Sequence, residues 1–341
     1  MDLPNSVGWH VIYVGLVTTG LPIVDISPLR AGSSSPNYAT ASAELYAALS
    51  EIGFAIVVGH GVDPEITANM RAAVRAVFDT PRDVLANNMV VKGNYRGFVP
   101  LGYFTPNSGK GKADQYEAWK LHYETDANDP IRSQCDLYGP NVWPAIDVDV
   151  RTPIMNYWHA LDAVSETLII ALCTQLGVDP TVLLSCMNMP LTNMTLLNYP
   201  PVEPQTDTWG IHPHKDFNLL TLLAHDPIGG LEVRNRNDEW INAQCPKGGM
   251  VLNVGDMLEL WSGGRLLSTP HRVFNKSGKP RQSFPYFSKP RWDVVVQPLI
   301  EPVAGFDRVP LHVGRSAADI WYSNWPDTLS SDPAQVLGKF D

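Results

Sequence analysis

The sequence has no cluster of Lys and Arg: 25 basic residues stand against 35 acidic ones, leaving a formal charge of −10. Binding to nucleic acid or to an anionic membrane rests on clustered positive charge, so neither partner is expected and a small-molecule substrate is. Cysteine is scarce too. The four cysteines, Cys135, Cys173, Cys186 and Cys245, lie far apart and form no C-x-x-C pair, which fits reduced thiols in a cytoplasmic protein better than a disulfide framework. Long apolar runs are missing as well. The apolar opening stretch, Val7 to Ile26, lacks a basic leader and is broken by His10, Gly15, Gly20, Pro22 and Asp25, so neither a signal peptide nor a membrane span is expected. Gly-x-Ser-x-Gly is absent, which removes the context of a Ser-His-Asp hydrolase.

What is present is globular composition: 341 residues, 44% apolar and 18% charged, with ten Trp. Such a chain can bury a substantial core. Leu45, Leu49 and Ile52 share one face of a helix expected over Ala41–Ile52, with Gly53 placed to stop it. Phe54–Val58 then reads as a short buried strand ended by the turn Gly59-His60-Gly61. Asp63 followed by Pro64 is an N-cap with proline at the first helical position, leading into Ile66, Met70, Val74 and Phe78 at helical spacing. Loops and short strands are expected over Val91–Pro144, and a long helix from about Pro153 to Leu176, stopped by Gly177. From Met194 onward the pattern becomes short β-type runs: Thr195–Leu197, Leu219–Leu223, Leu231–Val233, Met250–Val254, Arg272–Phe274 and Ser283–Phe287. Many short strands in succession predict a closed or double-sheet antiparallel barrel. A last short helix, Ala317–Trp325, would cover it.

The informative stretch is Gly210-Ile-His-Pro-His214-Lys-Asp216. Alternate side chains of an extended chain share a face, so His214 and Asp216 point one way and Lys215 the other. His271, entering a strand further on, offers a third ligand. Two imidazoles and one carboxylate leave open coordination positions, the set that suits non-haem Fe(II) and oxygen chemistry. A His-x-Asp triplet alone is common, but Arg281 and Ser283 form a second i, i+2 pair on one strand face. A guanidinium fork with a hydroxyl beside it recognises a carboxylate.

These residues, together with Leu21-Pro-Ile-Val-Asp-Ile26, Glu51-Ile-Gly-Phe54, His60-Gly61, Asn94-Tyr-Arg-Gly-Phe98, Asp114-Gln-Tyr-Glu117, Leu197-Asn-Tyr-Pro200, Gly229-Gly-Leu-Glu-Val233 and Asn253-Val-Gly-Asp256, resemble the isopenicillin-N-synthase-like branch of the 2-oxoglutarate and iron(II)-dependent dioxygenases. The resemblance implies a mainly β fold with flanking helices, a double-stranded β-helix or cupin-like jelly roll. It implies a single domain over 1–341, with a helical and mixed region at 1–190, a jelly-roll core at 191–300 and a C-terminal cover at 301–341. His214, Asp216 and His271 would coordinate iron and carry catalysis; Arg281 and Ser283 would hold the distal carboxylate of 2-oxoglutarate, with the Tyr199 hydroxyl added to that anchor. Molecular oxygen would be the co-substrate and ascorbate an activator. The outcome would be hydroxylation, desaturation or ring formation on a small organic molecule, in specialised metabolism or catabolism.

The chain departs from the family pattern at Lys215, at Phe217-Asn218 and at Leu197, which leaves Asn198 without an assigned role. His212 shares a face with His214 but is separated from it by Pro213 and is not read as a ligand. His225 and Asp226 read as a turn, as does Asp256; His60 belongs to a structural turn, and His122, His159 and His312 to local hydrogen bonding. Tyr95, Phe98, Tyr103, Phe104 and Trp209 are candidates for the substrate pocket. Competing readings are an iron oxidase of the same fold that needs no 2-oxoglutarate, a non-catalytic binding module, and a zinc hydrolase, for which no base is supplied. Oligomeric state is not readable.

Overall fold

The computed structural model describes residues 20–103, 113–201 and 209–323. Its strands begin with β1 (Ile23–Asp25), β2 (Phe54–Val58), β3 (Gly97–Val99), β4 (Glu117–His122), β5 (Asn193–Tyr199), β6 (Ile211–His214) and β7 (Leu220–Ala224). They continue with β8 (Leu231–Arg234), β9 (Trp240–Asn242), β10 (Met250–Val254), β11 (His271–Val273), β12 (Arg281–Ser283) and β13 (Tyr286–Ser288). The larger sheet runs β1-β2-β10-β7-β13-β5-β4-β3, with β12 also paired to β5, and the smaller runs β6-β11-β8-β9. All pairings within them are antiparallel except β1 with β2. This is the jelly roll that the succession of short strands predicts.

The larger sheet is a middle layer, because alternate side chains of a strand leave by opposite faces. On β2, Ala55 and Val57 enter the core shared with the helices, whereas Phe54 and Ile56 enter the jelly-roll interior. β5 divides in the same way, with Met194 and Leu196 outward and Leu197 and Tyr199 inward. Helix Arg151–Leu176 covers the outer face and packs against helices Tyr38–Glu51 and Pro64–Asp79. Its Trp158 meets Tyr286 edge-on at 5.7 Å, its Tyr157 meets Phe284 at 5.2 Å, and its Ser165 hydroxyl donates to the Ser288 hydroxyl at 3.0 Å.

The helix punctuation is where the residues place it. Asp63 accepts from the Glu65 N–H at 2.8 Å ahead of Pro64, and the long helix ends on Gly177 at φ 69°. Among the described residues of 91–144, β3, β4 and a short 3₁₀ turn at Pro130–Ser133 are the regular elements. The expected strand Ser283–Phe287 is two strands. Its pairing with β5 keeps one register from Arg281–Tyr199 to Phe287–Asn193, but Pro285 has no N–H to donate, so the ladder is interrupted there. Asp256 is not a turn residue: it opens helix Asp256–Trp261, whose N-terminal dipole favours an acid. The final helix is Val313–Ser323; Trp325 lies outside the described residues.

Two glycines with left-handed backbone test this packing. At Gly53 (φ +72°) an added Cβ would stand 2.0 Å from the Leu267 carbonyl oxygen, whereas at Gly177 (φ +69°) nothing lies within 4 Å. Gly177→Ala is expected to cost about 1–2 kcal/mol, the left-handed penalty alone, and Gly53→Ala clearly more; urea unfolding of both variants measures the difference.

Candidate metal centre and adjoining cavity

His214 is the last residue of β6 and His271 the first of β11, and the two are direct register partners. Their rings stand 4.3 Å apart. Asp216 follows β6, outside the strand, and its Oδ1 lies 3.7 Å from His214 Nε2 and 3.6 Å from His271 Nε2. Among the described residues this is the one group of three whose ligand atoms gather in this way, all within 4.8 Å of one another. His214 Nδ1 is 2.8 Å from the His212 carbonyl and His271 Nδ1 is 3.2 Å from the Thr269 carbonyl. A carbonyl only accepts, so both Nδ1 atoms carry the proton and both Nε2 lone pairs face the cluster.

The carboxylate is oriented from behind. Asp216 Oδ2 accepts from the Thr221 hydroxyl at 2.6 Å and from the Asn253 amide at 2.8 Å, and Asn218 donates to the same Thr221 oxygen at 2.7 Å. The start of helix Asp256–Trp261 pins the loop, with the Asp256 N–H on the Asp216 carbonyl (2.8 Å) and the Met257 N–H on that of Asn218 (3.0 Å). Burial works to raise the Asp216 carboxyl, but the two imidazoles and these hydrogen bonds hold it below the usual range. His271 is pushed down to about 4 by burial and by His214 beside it. Its ring is therefore neutral, the form that binds a metal. Residue type alone does not mark Thr221, Asn218 or Asn253 as supports; only the motif Asn253-Val-Gly-Asp256 signals one of them.

Arg281 opens β12 opposite Tyr199, and Ser283 lies opposite Leu197. Arg281 is 2% exposed, and its guanidinium sits 4.8 Å from the Tyr199 ring centre and reaches the Ser283 hydroxyl at 3.5 Å. Its Nε has no hydrogen-bond partner among the described residues, and a carboxylate oxygen of Asp226 stands 3.9 Å away. A buried guanidinium short of acceptors is costly, and an incoming carboxylate would satisfy it. Gly210 closes on this anchor: a Cβ there would meet Tyr199 Cδ1 at 2.9 Å. Asp226 also accepts from the Ile228 N–H at 2.8 Å, as its turn reading requires.

Beside the cluster lies a cavity of about 330 Å³. Of the proposed aromatic walls, Tyr95 lines it; Phe98 is buried in the helix-side core, Trp209 packs on Phe274 and Arg272, Tyr103 is exposed, and Phe104 lies outside the described residues. His212 also lines the cavity, held by Asp114 through its N–H (3.0 Å) and Nδ1 (2.5 Å). His122 does more than satisfy local bonds, because it too is in the wall, near Tyr95 and Trp321. Asn198 faces away, donating to Glu117 (2.7 Å) and accepting from Gln282 (3.3 Å). Lys215, expected to point away from His214 and Asp216, lines the same cavity, because the strand ends at His214 and alternation stops there; its ammonium lies 3.9 Å from Glu259. His60 serves its turn, with Nε2 2.9 Å from the Gly248 carbonyl and Nδ1 accepting from the Val62 N–H.

A jelly roll holding two imidazoles and one carboxylate with open positions is the arrangement of a non-haem iron oxygenase. Residues 191–290 match the 2OG-Fe(II) oxygenase superfamily, and residues 21–146 match the N-terminal region of non-haem dioxygenases of morphine synthesis. A homoarginine-6-hydroxylase of Oryza sativa is 31% identical over 82% of this chain and 88% of its own length. A 2-oxoglutarate-dependent dioxygenase of Aspergillus niger is 32% identical over 78% and 83%. A Neurospora crassa protein whose full-length crystal structure was solved in complex with alpha-KG shares the fold at a TM-score of 0.76 and 20% identity, covering 88% of this chain and 95% of that one. The chain belongs to the 2OG-Fe(II) oxygenase superfamily and is a 2-oxoglutarate-dependent dioxygenase that oxidises small molecules, with Fe(II) and 2-oxoglutarate as cofactors. The N-terminal match accords with the isopenicillin-N-synthase-like branch.

The hydrogen bonds behind Asp216 carry a prediction. Asn253→Ala and Thr221→Val each remove one donor, so affinity for Fe(II) or Mn(II), measured by calorimetry, should fall by roughly 10- to 100-fold, whereas Thr221→Ser should retain it.

Proposed function

We propose that His214, Asp216 and His271 hold the iron and that Arg281, Ser283 and Tyr199 hold the distal carboxylate of 2-oxoglutarate. The observation that carries this reading is the direct pairing of His214 with His271, with Asp216 Oδ1 within 3.7 Å of both Nε2 atoms. The orphaned Nε of Arg281 supports the second half. The chemistry supplied by such a centre is oxidation of a substrate C–H bond coupled to decarboxylation of 2-oxoglutarate to succinate, at the expense of molecular oxygen. The chain's own part is to present neutral imidazoles, orient one carboxylate oxygen, and fix the co-substrate's far end so that its other end meets the metal.

The substrate occupies the adjoining cavity, and which of its C–H bonds faces the metal decides between hydroxylation, desaturation and ring formation. The helical region 1–190, the jelly-roll core 191–300 and the cover 301–341 act as one domain; the packing of helix Arg151–Leu176 on β7 and β13 supports this. A cytoplasmic setting fits four cysteines that are all unpaired, and no described helix is long and apolar enough to cross a membrane. Ascorbate would maintain the ferrous state.

Two variants separate the two halves. Asp216→Ala should abolish succinate release and weaken iron uptake, while Arg281→Ala should keep iron and raise the 2-oxoglutarate concentration for half-maximal succinate release by about tenfold or more. Unchanged values in either variant would overturn the corresponding assignment.

A further inference from the structure

The cavity beside the metal cluster contains charge that the iron and 2-oxoglutarate roles leave unused. Lys120, on β4, and Lys289, just after β13, both line it. Register brings their strands together on β5: Lys120 lies opposite Thr195, His122 opposite Asn193, and Phe287 opposite Asn193 from the other side. The Lys289 ammonium donates to Asn193 Oδ1 at 2.7 Å. Lys120 rests its ammonium 4.8 Å from the Tyr95 ring centre. Neither lysine is ion-paired among the described residues.

Two carboxylates share the cavity wall, and both are committed. Asp216 belongs to the metal cluster, and Asp114 is engaged twice by His212. The third lysine of the wall, Lys215, leans on Glu259. Lys120 and Lys289 are thus two like charges on the wall of one cavity, without a carboxylate of their own. Loss of hydration, together with Lys289 nearby, pushes Lys120 down to about 8; loss of hydration pushes Lys289 to about 8 as well, although Asp216 works to raise it. Holding two unpaired cations in one poorly hydrated cavity costs stability, and an anion bound there would recover it. Most other walls are apolar, Leu137, Leu191, Ile211, Phe217, Phe287 and Trp321 among them.

We propose that the substrate is an organic carboxylic acid with an apolar body, its carboxylate held between Lys120 and Lys289 so that the body extends along the apolar walls toward the metal cluster. This rests on the iron and 2-oxoglutarate reading and adds the substrate class to it. Asn193 and His122 are positioning residues: Asn193 holds the Lys289 ammonium, and His122, kept neutral by burial among positive charges, fills the wall behind the pair. A cationic end at this position would meet no such complement.

The test uses thermal unfolding of the Mn(II)- and 2-oxoglutarate-loaded protein with a panel of aromatic and alicyclic carboxylic acids. Each acid is compared with its primary amide, with the amine that replaces its carboxyl, and with the phosphate monoester of the same ring system. Protection by acids and not by amides or amines is the expected result. For the best acid, Lys289→Met and Lys120→Met should each raise the dissociation constant about tenfold or more, Lys120→Arg should keep it near the wild-type value, and Lys289→Glu should shift preference toward the amine. Equal protection by amides, stronger protection by phosphate esters, or no protection by any acid would overturn the proposal. So would a lysine variant whose only change is a weaker response to 2-oxoglutarate. Failure of the underlying reading is distinguishable, since it shows as absent metal uptake and absent succinate, whereas acid protection is also measurable on metal-free protein.

Discussion

Strands β6 and β11 meet with His214 directly across from His271, and that single register match sets the geometry on which the centre depends. Side chains alternate along a strand, so a slip of one residue would send one imidazole to the opposite face. Backbone carbonyls at His212 and Thr269 then fix the ring tautomers. Asp216 completes the group from outside the strand, and its position depends on peptide hydrogen bonds from the start of helix Asp256–Trp261. A helix terminus, which has N–H groups to spare, thereby anchors a loop that has none of its own sheet pairing.

The same alternation builds the rest of the interior. β5 runs from Asn193 to Tyr199 and pairs with β12 and β13 in one continuous register. One end of that ladder holds Tyr199 with Arg281, and the other holds Asn193 near Lys289. Three strands, β5, β12 and β13, therefore set the separation between Arg281 and the charged end of the cavity. Pro285 interrupts the ladder between them without shifting its register, because it removes a donor and leaves the backbone extended.

Charge is distributed against the grain of the whole molecule. The chain carries a formal charge of −10, yet Arg281 is buried with only Asp226 at 3.9 Å, and Lys120 and Lys289 line the cavity with no ion pair among the described residues. Each would be more stable hydrated or paired. Fold stability alone gives no reason to keep three such cations on inward faces; the proposed recognition of acids would. Proteins give up local consistency mainly at such sites.

Sequence by itself determined the elements whose signals are local: the Asp63-Pro64 helix start, the Gly177 stop, the short β runs, and the i, i+2 pair Arg281/Ser283, since capping chemistry and strand alternation need only near neighbours; it also marked His214 and Asp216, although Asp216 lies past the end of its strand and is placed by helix Asp256–Trp261. Tertiary structure alone decided what lies across the strands. It placed His122 in the cavity wall and Phe98 in the helix-side core, made Asp256 a helix start, set Thr221, Asn218 and Asn253 behind Asp216, and brought Lys120 and Lys289 to one cavity wall. Those relations depend on register and on which face each strand turns inward, and pairing between residues distant in the chain leaves no periodic trace in either segment alone.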